Sequence, residues 1–111
     1  MKMENTAAVG GVEILATDVY QAIPVEVAGA SVVKAGSPLT AAGTVADAAE
    51  NAVGVLLYDV DPANNPNGAL VVAGIVDWAK CMSHSGTALT AEAMKAALPA
   101  IEFRANIGVN A

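Results

Sequence analysis

The sequence predicts a small, mostly β domain with one short α-helix, closed as a compact sandwich or barrel. Three observations carry that expectation. β-Branched residues recur in short runs that Pro and Gly interrupt. A turn-rich octapeptide, DPANNPNG, separates two apolar runs within residues 52–76. Strong helix formers gather convincingly in one place, TAEAMKAAL from Thr90.

The elements follow in chain order. Residues 1–11, MKMENTAAVGG, are small, polar and end in glycine, which predicts a flexible N-terminal arm; residues 12–111 form a single β-rich domain. From Val12, VEILATDVY and IPVEVAGASVVKAGSPLT read as strands of about three to six residues, cut by Pro24, Pro38, Gly29, Gly36 and Gly43. Val25 to Val27 alternates apolar and charged. AAGTVADAAENA is small and polar, a loop or a frayed edge strand. A hairpin then fills residues 52–80, and SHSGTALT is a loop. Thr90 is a good N-cap, Glu92 suits the positive end of a helix dipole, and Pro99 ends the helix. A helix of about nine residues does not hold alone, so it docks through Met94, Ala97 and Leu98. Behind it, Ile101 and Phe103 alternate with Glu102 and Arg104 as a half-buried closing strand.

The hairpin is apolar on both faces. Val53, Val55 and Leu57 share one face of its first strand, and Leu56, Tyr58 and Val60 the other. In the second strand Val71 and Ile75 oppose Leu70, Val72, Val76 and Trp78. A surface hairpin normally keeps one face polar, so the second face needs a second sheet, the helix or a symmetry-related subunit. Alanine supplies 25 residues and valine 15, against few large anchors: Trp78, Phe103, Tyr20 and Tyr58. A small domain poor in bulky side chains gains from association. The expected subunit interface is therefore Leu70, Val72, Val76 and Trp78.

Charge and motifs exclude more chemistry than they suggest. Net charge is −6, and the five basic residues are dispersed, which argues against nucleic-acid binding. One cysteine allows no intrachain disulfide and fits assembly in a reducing cytosol. No apolar run approaches the roughly 20 residues that span a bilayer, and the N-terminus lacks a secretory core, so neither export nor membrane insertion is expected. DWAKCMSH brings Asp77, Cys81 and His84 close in sequence, but a thiolate nucleophile needs an organised base and support. Cys81 reads more simply as a small apolar residue, and His84 as a solvent-exposed loop residue. Asp59, Asp61 and Asn64, Asn65 and Asn67 could offer oxygens to a hard cation, yet they lack the Gly and distal Glu of an EF-hand loop; a turn is the simpler reading. No phosphate loop, dinucleotide fingerprint or zinc motif occurs. The expectation is a protein without catalytic residues, metal or cofactor.

The order of the pieces resembles a known family. VKAGSPLTAAGTVA, then NAVGVLLYDVD with its A-V-G-V-L core, then NGALVVAGIVDWAKC, then TAEAMKAALPAIEF, are together similar to the head decoration and head fibre proteins of tailed bacteriophages, including those of the lambda type. The likeness covers residues 35–103 and consists of ordinary residues in a shared order. It implies a β-tulip-like domain that forms a homotrimer and binds the major capsid protein. Such a protein sits at three-fold and quasi-three-fold points on the outer surface of an expanded icosahedral capsid, cements it, and is assembled in the cytoplasm of the bacterial host. It also implies an N-terminal arm that pairs with a capsid strand, here Thr6, Ala7, Ala8 and Val9 by position alone. The competing readings are the base of a head fibre, disfavoured by the lack of a coiled-coil extension before Ala111, and a non-catalytic small-ligand-binding β-domain with Trp78 and Tyr58 lining its pocket.

Overall fold

The computed structural model describes residues 14–15 and 20–104. It is mostly β, with an antiparallel sheet and two short helices. The strands are β1 (Gln21–Glu26), β2 (Pro38–Leu39), β3 (Gly54–Leu56), β4 (Asn67–Asp77) and β5 (Ile101–Arg104). The helices are α1 (Trp78–Ser85) and α2 (Ala91–Ala97).

β4 is the spine. Its first half pairs antiparallel with β1 on one side and β3 on the other, and β2 adds to β3, giving the order β1-β4-β3-β2. Its second half pairs parallel with β5, from Gly74 opposite Ile101 to Asp77 opposite Arg104. Leu15 bridges Val76 antiparallel, and Ile14 accepts a hydrogen bond from the Asp77 amide at 2.7 Å. Gly54, the glycine of A-V-G-V-L, marks the closest approach of β3 to β4. A Cβ there would lie 2.5 Å from Leu70 Cγ and 2.7 Å from the Val71 carbonyl oxygen, closer than side-chain atoms tolerate.

The turn that joins β3 to β4 behaves as its composition predicts. Asp61 accepts from the Ala63 amide at 3.2 Å and from Asn64 Nδ2 at 2.7 Å, and its carbonyl takes the Asn64 and Asn65 amides. These local bonds are what Asp and Asn contribute to turns.

The second face of the hairpin is covered by the chain itself. Val55 and Val71 point into a core with Ile14, Trp78, Met94 and Ile101, closed by the helices. Leu56, Leu70 and Val60 point the other way, onto Val27, Val33 and Leu39 from the long connection between β1 and β3. A connection rich in Val and Ala thus does the work of a second layer.

β4 also changes face. Leu70 belongs to the second core and Val71 to the first, but Val76 belongs to the first as well, out of step with strict alternation. The switch lies at Gly74, whose φ of 129° is a conformation that L side chains rarely adopt. A residue out of phase in a strand re-aims everything beyond it, and at this same point the pairing with β1 ends and the pairing with β5 begins.

The second helix is a correction to the sequence reading, which extends the hairpin strand through Trp78 to Lys80 and leaves SHSG as loop. β4 ends at Asp77, whose side chain caps α1 by accepting from the Lys80 amide at 3.2 Å. Gly86, at φ 81°, stops it in the left-handed conformation. Both cap residues stand in the sequence; a strand-like run leading into them masked the signal. α2 agrees with expectation: Thr90 Oγ1 accepts from the Ala93 amide at 3.2 Å, Met94 is buried, and β5 alternates buried Ile101 and Phe103 with exposed Glu102 and Arg104.

Candidate functional site

The sequence-predicted positions fall in three places. The expected arm residues Thr6, Ala7, Ala8 and Val9 lie outside the described residues. Three of the four expected interface residues, Leu70, Val76 and Trp78, are buried to 2% exposure or less within this one chain. Their side chains leave no surface for a second copy in this conformation. Val72 keeps a partly exposed position beside the second core. The physical reason is the two-layer cover described above, together with the turn into α1 that carries Trp78 inward.

Trp78 is the centre of the first core. Its ring meets Phe103 edge-on, with centroids 5.2 Å apart and planes at 89°. Its Nε1–H donates to the Leu89 carbonyl at 2.9 Å, which satisfies the one polar atom of a fully buried ring. Cavities among the described residues include one of about 460 Å³ bordered by Ile75, Lys95 and Glu102 and one of about 310 Å³ bordered by Ser37, Asp47 and Thr87. Trp78 and Tyr58 line neither.

The chemistry-bearing residues are engaged structurally. Cys81 is fully buried, and burial, aided by the negative charge of Asp77, pushes its thiol up from 9.0 to about 12. A thiol held neutral is a poor nucleophile. His84, expected in solvent, is instead mostly enclosed. Its Nε2 lies 2.9 Å from Asp59 Oδ1, and the two side chains are 19% and 16% exposed. The same Asp59 oxygen accepts from the Ala35 amide at 2.8 Å. Asp59 therefore ties three segments together: α1, the chain after β3 and the connection before β2. Sequence reasoning missed this node because its members are 24 and 25 residues apart. Among the described residues, no three His, Cys, Asp or Glu side chains gather as a metal site, and no helix is long and apolar enough to cross a membrane.

In comparisons with known proteins, no family model, no curated protein and no solved structure matches the chain.

Proposed function

We propose that this protein is a head decoration protein of a tailed bacteriophage, a homotrimer that binds the outer surface of the expanded capsid at three-fold and quasi-three-fold positions and stabilises it. The observation that carries the reading is the ordered set of segments over residues 35–103 that resembles that family. Two physical features support it. The motif glycine, Gly54, has a steric role at the β3–β4 contact, so the resemblance includes a position under real constraint. The candidate nucleophile and base are engaged as a buried thiol and a His–Asp pair, which weighs against the Cys-dependent alternative in the sequence.

A cementing protein needs no reaction. Shell subunits strain apart under the pressure of packaged DNA, and a symmetric clamp bridging several of them adds contacts that avidity multiplies. An arm that adds a strand to a capsid sheet contributes main-chain hydrogen bonds with little side-chain demand. The trimer, the β-tulip-like character and the virion location belong to this proposal.

The test is binding to expanded, undecorated heads of the phage that carries the gene. Saturable binding and a rise in the heads' resistance to heat or chelator are expected. Heads that neither bind the protein nor gain resistance sink the reading. Deleting residues 1–11 should leave the circular dichroism spectrum unchanged and weaken binding; equal affinity would remove the arm from the proposal.

A further inference from the structure

We propose that Asn67 is a site of spontaneous covalent modification, cyclising with Gly68 when the end of β1 lifts from β4. The inference is independent of the function proposed above.

The reaction needs only the chain and water. The Gly68 amide nitrogen gives its proton to solvent base and attacks Cγ of Asn67. The N–Cγ bond forms, the Cγ–Nδ2 bond breaks, and Nδ2 leaves as ammonia with a proton taken from solvent. Water then opens the succinimide at either carbonyl. One opening gives aspartate at position 67, the other isoaspartate, in which the main chain runs through the side-chain carboxyl. Overall one water is consumed and one ammonia released. The ring closes most easily where the following residue has no Cβ to crowd it, and glycine has none.

The described asparagines differ in how far the fold and their neighbours allow this. Asn65 precedes Pro66, whose nitrogen carries no proton. Asn64 donates through Nδ2 to Asp61 Oδ2 at 2.7 Å, and the amide that would attack it, that of Asn65, donates to the Asp61 carbonyl at 2.8 Å. Asn51 is followed by Ala52, which has a Cβ and whose amide donates to the Ala49 carbonyl at 3.0 Å. Asn67 is exposed at the start of β4, with glycine next in the chain.

What restrains Asn67 is the pairing of β1. The Val27 amide donates to the Pro66 carbonyl at 2.8 Å, and on the other side of β4 the Leu57 amide donates to the Ala69 carbonyl at 2.9 Å. Antiparallel pairs alternate between bonded and non-bonded. With Val25 opposite Gly68, the Gly68 amide therefore faces β1 and donates to the Val25 carbonyl. The attacking nitrogen is occupied, in a buried residue, while β1 stays in place. That restraint is light. β1 ends the sheet, pairs only with β4 among the described strands, and is exposed at every residue except Val25. A terminal strand with so little burial opens at lower cost than the core.

The product acts back on the restraint. Glu26 lies opposite Asn67, so an aspartate there sets two carboxylates across from each other, which weakens the pair. Isoaspartate lengthens the main chain just before Gly68, where space is short: a Cβ on Gly68 would lie 3.0 Å from Val60 Cγ2 and 3.2 Å from Leu56 Cδ1 and Val27 Cγ2. Either product loosens the end of the β1–β4 ribbon.

The experiment incubates the full chain at mildly alkaline pH in water enriched in heavy oxygen, and weighs its fragments by mass spectrometry. Three conditions are compared: native buffer, urea below the unfolding transition, and fully denaturing urea. Position 67 should gain heavy oxygen in native buffer, ahead of positions 51 and 64, and faster in the lower urea. The denatured chain should react at least about tenfold faster than the native one, because the fold holds the Gly68 amide. Asn67→Gln, which would have to close a larger ring, should keep the circular dichroism spectrum and gain no label at that position. A native chain that reacts as fast as the denatured one overturns the restraint by β1. A rate with the full urea dependence of global unfolding overturns the local opening. Labelling of Asn51 or Asn64 as fast as Asn67 in native buffer, or no labelling of Asn67 there at all, overturns the site.

Discussion

One carboxylate oxygen, Oδ1 of Asp59, holds both the Ala35 amide and the His84 ring. Ala35 is fully buried, so removing its acceptor strands an N–H away from water. Asp59→Ala should destabilise the fold by about 2–3 kcal/mol, while His84→Ala, which leaves the amide satisfied, should cost about 1 kcal/mol. Urea denaturation measures both, and equal costs would argue against the node. Cys81 gives a pH dependence whose sign follows from burial. Its acid form is neutral and favoured in the fold, so the folded value of about 12 exceeds the ordinary 9.0. The stabilisation is complete below pH 9 and declines as pH rises from 9 toward 12. Unfolding free energy measured at pH 8 and pH 10.5 should fall more for the native protein than for Cys81→Ala, and parallel profiles would contradict it. The apolar role of Cys81 was legible from its lone occurrence without catalytic context. The enclosure of His84 was not, because its Ser- and Gly-rich neighbours say nothing about a partner 25 residues away.

Among the elements, β4 shows where alternation succeeds and where it stops. Reading Leu56 and Leu70 against Val55 and Val71 sorts both strands of the hairpin onto the correct cores. Beyond Gly74 the same rule assigns Val76 to the wrong face. Glycine inside a strand is a recognised sign of a bulge or a close approach, but only the φ of 129° tells which. Gly74→Ala forces an L residue into that conformation and should destabilise the fold by about 1–3 kcal/mol; thermal unfolding that matches the native protein would mean the strand can re-phase without it. The helices make the complementary point. α2 was legible because cap, propensity and proline agree. α1 was hidden because VVAGIV leads into it without a break, and its caps, Asp77 and Gly86, speak only once the strand is known to end.

For the molecule as a whole, extents of 37 × 34 × 22 Å describe a flattened body with cores on both sides of the β3–β4 ribbon. Of the covers the sequence left open, a second sheet, the helix or a second copy, the chain's own helices and its connection between β1 and β3 supply the cover in this fold. Some apolar surface stays exposed among the described residues, at Tyr20, Ile23 and Val32 and at Val45 and Val53. If copies associate as the proposed trimer, folding and association are linked, and the melting temperature should rise with protein concentration. Differential scanning calorimetry over a hundredfold concentration range checks this, and a constant melting temperature would point to an independent monomer.

Local chemistry alone determined the β-rich class, the turn at Asp61–Asn67, the capped helix from Thr90 and the alternating strand behind it, because each depends on residues within about one turn or one strand of each other. Tertiary structure alone decided which segment covers the second face of the hairpin, where β4 turns over, that Trp78 serves the core and not a subunit contact, and that His84 is mostly enclosed. Those outcomes depend on contacts between distant parts of the chain and on one backbone angle, and neither leaves a periodic trace in the sequence.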